Sequence, residues 1–188
     1  MYLKKAGQRN DQSLASEYGA LQSLQRLTHV PVPRPLDLVS GPDTSCLLTT
    51  RLLGYPVGSC LDAMSDNEVD AFINELQRYL SELRAIPKQV GMDYAINNAV
   101  GGPCYDYRMI AGQDYDEAKG DLIEPFKTVD NFNKKLQTPA LPGVAHKSGH
   151  KIVFTHGDLN MRNIPMHNGR VSGIVDRESA GWFPDYWE

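Results

Sequence analysis

The residues best suited to chemistry are concentrated between Phe154 and Asp176, where the sequence reads FTHGDLNMRNIPMHNGRVSGIVD. This segment contains two aspartates, Asp158 and Asp176, and Asn163 lies between them. Carboxylate and amide oxygens are the ligands that hard divalent cations such as Mg²⁺ prefer. The residue types therefore predict a cation site, provided that the fold brings the three side chains together.

A tight β-hairpin is the element predicted to do so. Two segments with alternating polarity, Ile164–His167 and Arg170–Val175, are separated by Asn168-Gly169. This dipeptide is typical of a two-residue hairpin turn, because both positions tolerate positive φ. The residues on either side of the turn then pair with each other.

The turn also fixes the register of the hairpin, in which Ile164 pairs with Gly173 and Asn163 with Ile174. Because side chains alternate along a strand, Asn163, Ile174 and Asp176 are expected to project from one face. Asn163 and Asp176 become diagonal neighbours, about 7–8 Å apart at the backbone. The aspartate on the preceding loop would lie close to the same point.

These residues resemble the motifs of a known family. His156-Gly157-Asp158 with Asn163 has the pattern H-x-D-x-x-x-x-N, and Asp176 follows on a second strand. This order is similar to the catalytic loop and the metal-binding aspartate of aminoglycoside phosphotransferases and choline kinases, relatives of the protein kinases. The tail GIVDRESAGWFPDYWE resembles the same family's continuation.

The resemblance implies an α+β, protein-kinase-like fold with two lobes, both incomplete. Residues 1–53 would form a remnant N-terminal lobe of short strands and one helix. Residues 54–188 would form a mainly helical C-terminal lobe that contains the catalytic-loop hairpin. The family has a glycine-rich segment before its lysine strand and further helices after its metal-binding strand, so we expect a chain truncated at both ends.

The resemblance also implies roles for the motif residues. Asp158 would accept the proton of a substrate hydroxyl, and His156 would brace the catalytic loop. Asn163 and Asp176 would hold Mg²⁺ against the phosphates of ATP. Read without the resemblance, the same residues allow a polar loop that caps a hairpin.

A lysine and a glutamate near the N-terminus fit the same scheme. Tyr2–Lys5 is predicted to be a strand, and Glu17 lies on the apolar stripe of a helix predicted over Ser13–Leu27. A carboxylate on an inward face requires a partner, and the resemblance supplies Lys4, which would orient the phosphates of ATP. The sequence alone also allows a solvated glutamate and surface lysines. The stripe consists of Leu14, Leu21 and Leu24.

The strand predicted over Ser45–Leu53 would lead into the region between the lobes. Under the resemblance, Thr49, Thr50 and Arg51 form the hinge, whose backbone groups would bind the adenine of ATP. As an isolated signal, the segment is only a buried strand.

Other elements are predicted from periodicity and capping alone. Ser65 and Glu68 form a capping box that opens a long amphipathic helix, and Pro87 ends this helix. A short helix is predicted over Thr128–Leu136 and a buried strand over Lys151–Thr155. The acidic run Gln113–Glu124 is either a solvated face or a wall that attracts a cationic substrate.

Two residues depart from the expected pattern. Pro165 lies in the hairpin and faces Ser172 in a hydrogen-bonded pair, so one ladder bond is lost at a cost of about 1 kcal/mol. Arg177 stands where the family often has an aromatic residue. We expect its side chain to point to water.

Composition narrows the class of protein. The chain has 188 residues, a net charge of −4 and a pI of about 5.7, which argues against nucleic-acid and anionic-membrane partners. Its cysteines, Cys46, Cys60 and Cys104, match neither a zinc site nor a disulfide framework. With no signal-peptide pattern and no long apolar run, the chain is expected to be cytoplasmic.

Together with the site residues, the resemblance implies an ATP- and Mg²⁺-dependent phosphotransferase that acts on a hydroxyl of a small molecule, including a cationic one. A catalytically silent, kinase-like module that binds a nucleotide or a partner protein remains an alternative. A metal-dependent phosphoesterase fits less well, because His146 and His150 have no ligand spacing. A serine hydrolase is disfavoured by the absence of G-x-S-x-G.

Overall fold

The computed structural model describes residues 1–7, 11–42, 44–110, 122–137 and 149–188. Within these ranges the chain forms three small sheets and four α-helices. The strands are β1 (Tyr2–Gly7), β2 (Pro35–Ser40), β3 (Thr44–Thr49), β4 (Tyr55–Pro56), β5 (Asn97–Asn98), β6 (Ile152–Thr155), β7 (Pro165–His167), β8 (Arg170–Val171) and β9 (Gly181–Pro184). The helices are α1 (Asp11–Leu27), α2 (Asp66–Arg84), α3 (Tyr107–Ile110) and α4 (Val129–Leu136).

The first sheet carries the lysine strand. Its order is β1-β3-β2, and all neighbours are antiparallel. The central strand β3 alternates buried and half-buried residues, and its Leu47 packs with Leu14 and Leu21 of α1. In the register of the sheet, Lys4 lies opposite Leu47, so the Lys4 side chain is half-buried while Lys5 is exposed.

The predicted strand Ser45–Leu53 is too long, because β3 ends at Thr49. Thr50 turns away from the sheet: its N–H donates to the carbonyl of Arg34 (3.0 Å), and its hydroxyl accepts the N–H of Arg34 (2.8 Å). These bonds tie the end of β3 to the segment that leads into β2.

After residue 53 the described residues contain three α-helices and six strands, β4 to β9, and the helices hold more residues than the strands. The longest helix of this part is α2. β9 is the unpredicted element: it lies between β5 and β6, and its Trp182 and Phe183 are buried. The four residues of β9 are too few for a stable helix, and their backbone pairs with β5 and β6 instead.

The hairpin turn is confirmed. Asn168 and Gly169 have φ values of 51° and 74°, and His167 pairs with Arg170. Pro165 lies opposite Ser172, as predicted, and its carbonyl accepts the Ser172 N–H at 2.9 Å.

The predicted register at the open end of the hairpin is wrong, and so are its pairs Ile164–Gly173 and Asn163–Ile174. β8 ends at Val171, and Asn163 lies in a 3-10 turn, Met161–Asn163. The Ile174 N–H donates instead to the carbonyl of Pro31 (2.9 Å). The Asn163 carbonyl accepts the next N–H, that of Val175, at 2.9 Å. The segment after β8 thus leaves the hairpin and bonds to the segment that precedes β2.

The three predicted helices are confirmed, with α1 and α2 close to their predicted bounds. Ser65 and Glu68 form the predicted capping box, and the hydroxyl of Thr128 caps α4. Most of the acidic run Gln113–Glu124 lies outside the described residues. None of the helices in the described ranges combines the length and the apolar composition that crossing a bilayer requires.

The turn in the hairpin generates a stability prediction. A Cβ at Gly169 would meet no atom within 4 Å, so Gly169→Ala is opposed only by the positive φ. We expect it to lower the free energy of unfolding by about 1–2 kcal/mol, measured by urea denaturation.

Gly7→Ala is the matched control, because a Cβ there also has free space and the backbone is not left-handed. It should change the stability by less than about 0.5 kcal/mol. Equal effects of the two substitutions would contradict the assigned turn.

Candidate active site

A cleft of about 380 Å³ lies between the first sheet and the hairpin. This volume is within the range of roughly 300–1,000 Å³ that is usual for small-molecule sites. Apolar side chains, including Leu21, Leu47 and Val175, form part of its wall. The predicted site residues on the wall are Lys4, Glu17, Thr49, Thr50, Arg51, Asn163 and Asp176.

The Lys4 ammonium is the centre of the polar part of this cleft. Its Nζ lies 2.9 Å from Glu17 Oε2, 2.6 Å from Asp176 Oδ1 and 2.8 Å from Glu178 Oε2. The predicted Lys4–Glu17 ion pair is therefore present. The contact with Asp176 joins residues 172 positions apart in the chain, so one cation connects β1, α1 and the segment after the hairpin.

Burial and charge act in opposite directions on this cluster. Burial by itself lowers the pKa of Lys4, but Glu17, Asp176 and Glu178 outweigh it and raise the pKa above its usual value. The side chain therefore stays protonated at all physiological pH values. Burial raises the pKa of Glu17, and the ammonium of Lys4 opposes this effect.

The donor set of the cluster fits a divalent cation. One carboxylate oxygen each from Glu17, Asp176 and Glu178 lie within 4.8 Å of one another. The three carboxylates outnumber the nearby cations, the ammonium of Lys4 and the guanidinium of Arg177, which interacts with Glu17. Oxygen ligands with excess negative charge suit Mg²⁺. Glu178 was not among the residues predicted from the sequence, although it follows Asp176 by only two positions.

Asn163 is oriented by Asp158. The Asn163 Nδ2 donates to the backbone carbonyl of Asp158 (3.0 Å) and also lies 3.3 Å from Asp158 Oδ2. Because the amide nitrogen is held in this way, the oxygen of the same amide is the atom left for a cation. The structure thus brings Asp158, Asn163 and Asp176 into one region by a different backbone path from the predicted hairpin register.

His156 is fully buried and connects the loop that contains Asp158 to the segment before Asp176. Its Nδ1 accepts the backbone N–H of Asp158 (3.2 Å), so the proton belongs on Nε2, which donates to the carbonyl of Val175 (2.8 Å). Burial, helped by the nearby charge of Arg177, lowers the pKa of His156 well below its usual value. With both ring nitrogens engaged, this neutral imidazole braces the loop and has no free nitrogen to take a proton.

Gly157 permits the close packing of the loop against the segment that follows Asp176. It has a φ of 84°, and a Cβ at this position would lie 2.2 Å from the carbonyl oxygen of Ser179. Asp176 also has a left-handed φ, of 65°. Aspartate tolerates this conformation better than most residues, and such strain is common at functional sites.

Arg108 supports the loop from α3 and has no sequence signal. Its Nη2 donates to the carbonyl of Gly157 (2.6 Å) and to Asp106 Oδ2 (2.6 Å), and its guanidinium lies 4.3 Å from the ring centre of Trp187. Arg162, four residues after Asp158, is the other unpredicted arginine near the loop. Its Nη2 lies 2.9 Å from Asp158 Oδ2, and the i,i+4 spacing could have suggested this pair.

The expectation that Arg177 points to water is wrong. Its side chain is fully buried, and burial lowers its pKa to about 10. None of its three guanidinium nitrogens hydrogen-bonds to any described residue. Its backbone is engaged: the N–H donates to Glu17 Oε1 at 3.1 Å, and the carbonyl accepts the N–H of Ala180 at 3.0 Å. The apolar segment before Asp176 runs towards the interior of the protein, and the Arg177 side chain is buried there with it.

Comparisons with known proteins give a family match and solved structures of similar fold. A family model described as "Phosphotransferase enzyme family" matches residues 1–184. A comparison with curated proteins gives no match. Among solved structures, the apo form of a thermostable mutant of aminoglycoside phosphotransferase APH(4)-Ia is similar over 96% of this chain, with 13% identity and a TM-score of 0.55.

A second similar structure is that of aminoglycoside phosphotransferase APH(3'')-Id from Streptomyces rimosus, in complex with ADP and streptomycin. It is 18% identical over 96% of this chain, with a TM-score of 0.56. At these identities the likeness shows a shared fold. The chain spans 60% of the first structure's length and 66% of the second's.

The buried guanidinium generates a stability prediction. Arg177→Met should raise the free energy of unfolding by about 1–3 kcal/mol, because it removes three unsatisfied nitrogens and a buried charge. The neighbouring carboxylate of Glu188 keeps a partner, since it accepts the His156 N–H at 3.1 Å. Urea denaturation measures the change.

Arg26→Met is the control, because Arg26 is exposed on α1. It should alter the stability by less than about 0.5 kcal/mol. A loss of stability in Arg177→Met would show instead that Arg177 is a required counter-ion.

The pKa of His156 generates a prediction of pH dependence. Below pH 6.5 the unfolded chain binds a proton on this imidazole and the folded chain does not. The free energy of unfolding should therefore fall as the pH drops from 6.5 to 5, by up to about 1.4 kcal/mol per unit from this group.

In His156→Gln this contribution should vanish, which flattens the pH profile of stability over the same window. His29→Gln should keep the slope of the parent protein, because the His29 side chain is 98% exposed. An unchanged slope in His156→Gln would contradict the neutral, buried imidazole.

Proposed function

Because the chain belongs to the phosphotransferase enzyme family, we propose that it transfers the γ-phosphoryl group of ATP to a hydroxyl of a small molecule, with Mg²⁺ as the metal ion. The observation that carries this proposal is the Lys4 cluster. A lysine from a strand, a glutamate from a helix and an aspartate after the catalytic loop meet in the wall of a cleft of suitable size.

The nucleotide is proposed to lie along this cleft, between residues 1–53 and 54–188, which we propose as the two lobes. Its adenine would contact the apolar wall formed by side chains such as Leu47 and Val175. Of the hinge residues, Thr50 already uses its N–H on Arg34. Thr49 is the last residue of β3 and pairs with both neighbouring strands, so backbone recognition of the adenine edge would fall chiefly to Arg51.

Lys4 and the acidic groups around it are proposed to bind the other end of the nucleotide. The ammonium of Lys4, held by Glu17, would contact the phosphates. Asn163 and Asp176 would hold Mg²⁺, which supplies positive charge that offsets the charge of the transferred phosphoryl group. Phosphoryl transfer needs chiefly such positioning and charge neutralisation.

Asp158 is proposed as the residue that accepts the proton of the acceptor hydroxyl. Its backbone N–H is fixed by His156, and its side chain is fixed by Asn163. His156 thus acts through Asp158 and is a positioning residue.

The acceptor is proposed to be a small hydroxyl compound, including a cationic one. The streptomycin complex described above and a hygromycin B complex of APH(4)-Ia with AMP-PNP concern other proteins of this fold. Both antibiotics are nevertheless reasonable first acceptors to assay with this chain, beside a wider panel of hydroxyl-bearing metabolites.

Titration calorimetry with Mg-ATP, combined with an assay of ATP consumption over that panel, tests the proposal. The parent protein should bind Mg-ATP and consume ATP with at least one acceptor. Asp176→Asn should weaken binding at least tenfold. Asp158→Asn should keep binding within about threefold and lower the rate of transfer by about 10²–10⁴.

Asp70→Asn is the control, since Asp70 is exposed on α2, and it should match the parent protein in both measurements. A parent protein that does not bind Mg-ATP would contradict the proposal. Binding that is lost in Asp176→Asn, but is never followed by transfer to any acceptor, would favour the silent nucleotide-binding module.

A further inference from the structure

Arg162 faces both the proposed base and the proposed nucleotide cleft. Its Nη2 lies 2.9 Å from Asp158 Oδ2, and its side chain is 69% exposed. The same residue forms part of the cleft wall, together with Lys4, Asn163 and Asp176. Asp158 is not among the residues of that wall, so Arg162 and Asn163, which both contact Asp158, connect the base to the cleft.

The contacts of Asp158 are divided unequally between its two carboxylate oxygens. Oδ2 lies within hydrogen-bonding distance of Arg162 Nη2 and of Asn163 Nδ2, the second at 3.3 Å. None of the described residues hydrogen-bonds to Oδ1. The carboxylate is thus held by one oxygen, and the other is available to a hydroxyl group.

The guanidinium of Arg162 likewise uses only some of its hydrogen-bond donors. A guanidinium carries five N–H donors in one plane. In the part of the chain that the structure describes, only Nη2 of the Arg162 side chain donates a hydrogen bond, to Asp158. The remaining donors are free on a side chain that forms the wall of the cleft, and this planar set suits two phosphate oxygens at once.

We propose that Arg162 is a catalytic residue of the transfer reaction. Its guanidinium contacts the γ-phosphoryl group during transfer and keeps its hydrogen bond to Asp158 Oδ2. This inference rests on the proposed function and adds a residue to it. It also explains why an exposed arginine lies within reach of the base, where an ion pair formed for stability alone would contribute only about 0–1 kcal/mol.

In the proposed step, an oxygen–phosphorus bond forms between the acceptor hydroxyl and the γ-phosphorus of ATP. The bond between that phosphorus and the bridging β,γ-oxygen breaks, and ADP leaves with its electron pair. The hydroxyl proton passes to Asp158 Oδ1. Arg162 offsets the negative charge on the oxygens of the transferred group, which is the role that arginines near phosphoryl groups commonly perform.

The test compares Arg162→Gln and Arg162→Lys with the parent chain, and Arg26→Gln serves as a matched surface control. Arg162→Gln should lower kcat by about 10³ while the KM for ATP and the Kd for Mg-ADP stay within about threefold. Arg162→Lys should recover part of the rate, because it keeps the charge but cannot contact Asp158 and two phosphate oxygens together.

A binding measurement separates a catalytic role from a structural one. Aluminium fluoride added to Mg-ADP imitates the transferred group, and it should tighten ADP binding at least tenfold in the parent chain and in Arg26→Gln. In Arg162→Gln this tightening should be lost, although Mg-ADP alone still binds.

The outcomes distinguish this inference from the proposed function. If Arg162→Gln keeps both the parent kcat and the tightening by aluminium fluoride, the role of Arg162 is overturned and the phosphotransferase proposal stands. If the parent chain binds no Mg-ADP, both are overturned. An equal loss of Mg-ADP binding and of rate in Arg162→Gln would also overturn the inference, because it would indicate a role in the ground state or in folding.

Discussion

The arrangement of the cleft depends on one half-buried cation, the ammonium of Lys4. Without it, Glu17, Asp176 and Glu178 would place three carboxylates within 4.8 Å of one another, and their mutual repulsion would open the cleft. With it, a strand at the start of the chain, a helix and the segment after the hairpin are fixed at a common point. The same arrangement retains excess negative charge, so it favours a divalent cation beside the lysine.

A second constraint links the residues around Lys4 to the catalytic loop. His156 links the N–H of Asp158 to the carbonyl of Val175, the residue before Asp176. The loop that presents the proposed base and the segment that presents the proposed metal ligand therefore move together. Because the imidazole is buried and both nitrogens are engaged, it can do this only in the neutral form.

Local chemistry made part of this structure predictable. The Asn168-Gly169 turn and the inward Glu17 follow from backbone preference and helical periodicity, and the resemblance supplied Lys4 as the partner of Glu17. The register beyond the turn was not predictable, because the Ile174 N–H bonds to Pro31, a contact far apart in sequence. The burial of Arg177 was missed for a related reason: tertiary packing overrode its preference for water.

The most direct test of this account is a double-mutant cycle between Lys4→Met and Asp176→Asn, read as the free energy of unfolding in urea. We predict that Lys4→Met destabilises the parent protein, and that Asp176→Asn costs less in the Lys4→Met background because it then relieves repulsion. The coupling energy should be about 1–3 kcal/mol. Additive effects, within about 0.3–0.5 kcal/mol, would contradict the claim that this one cation holds the site together.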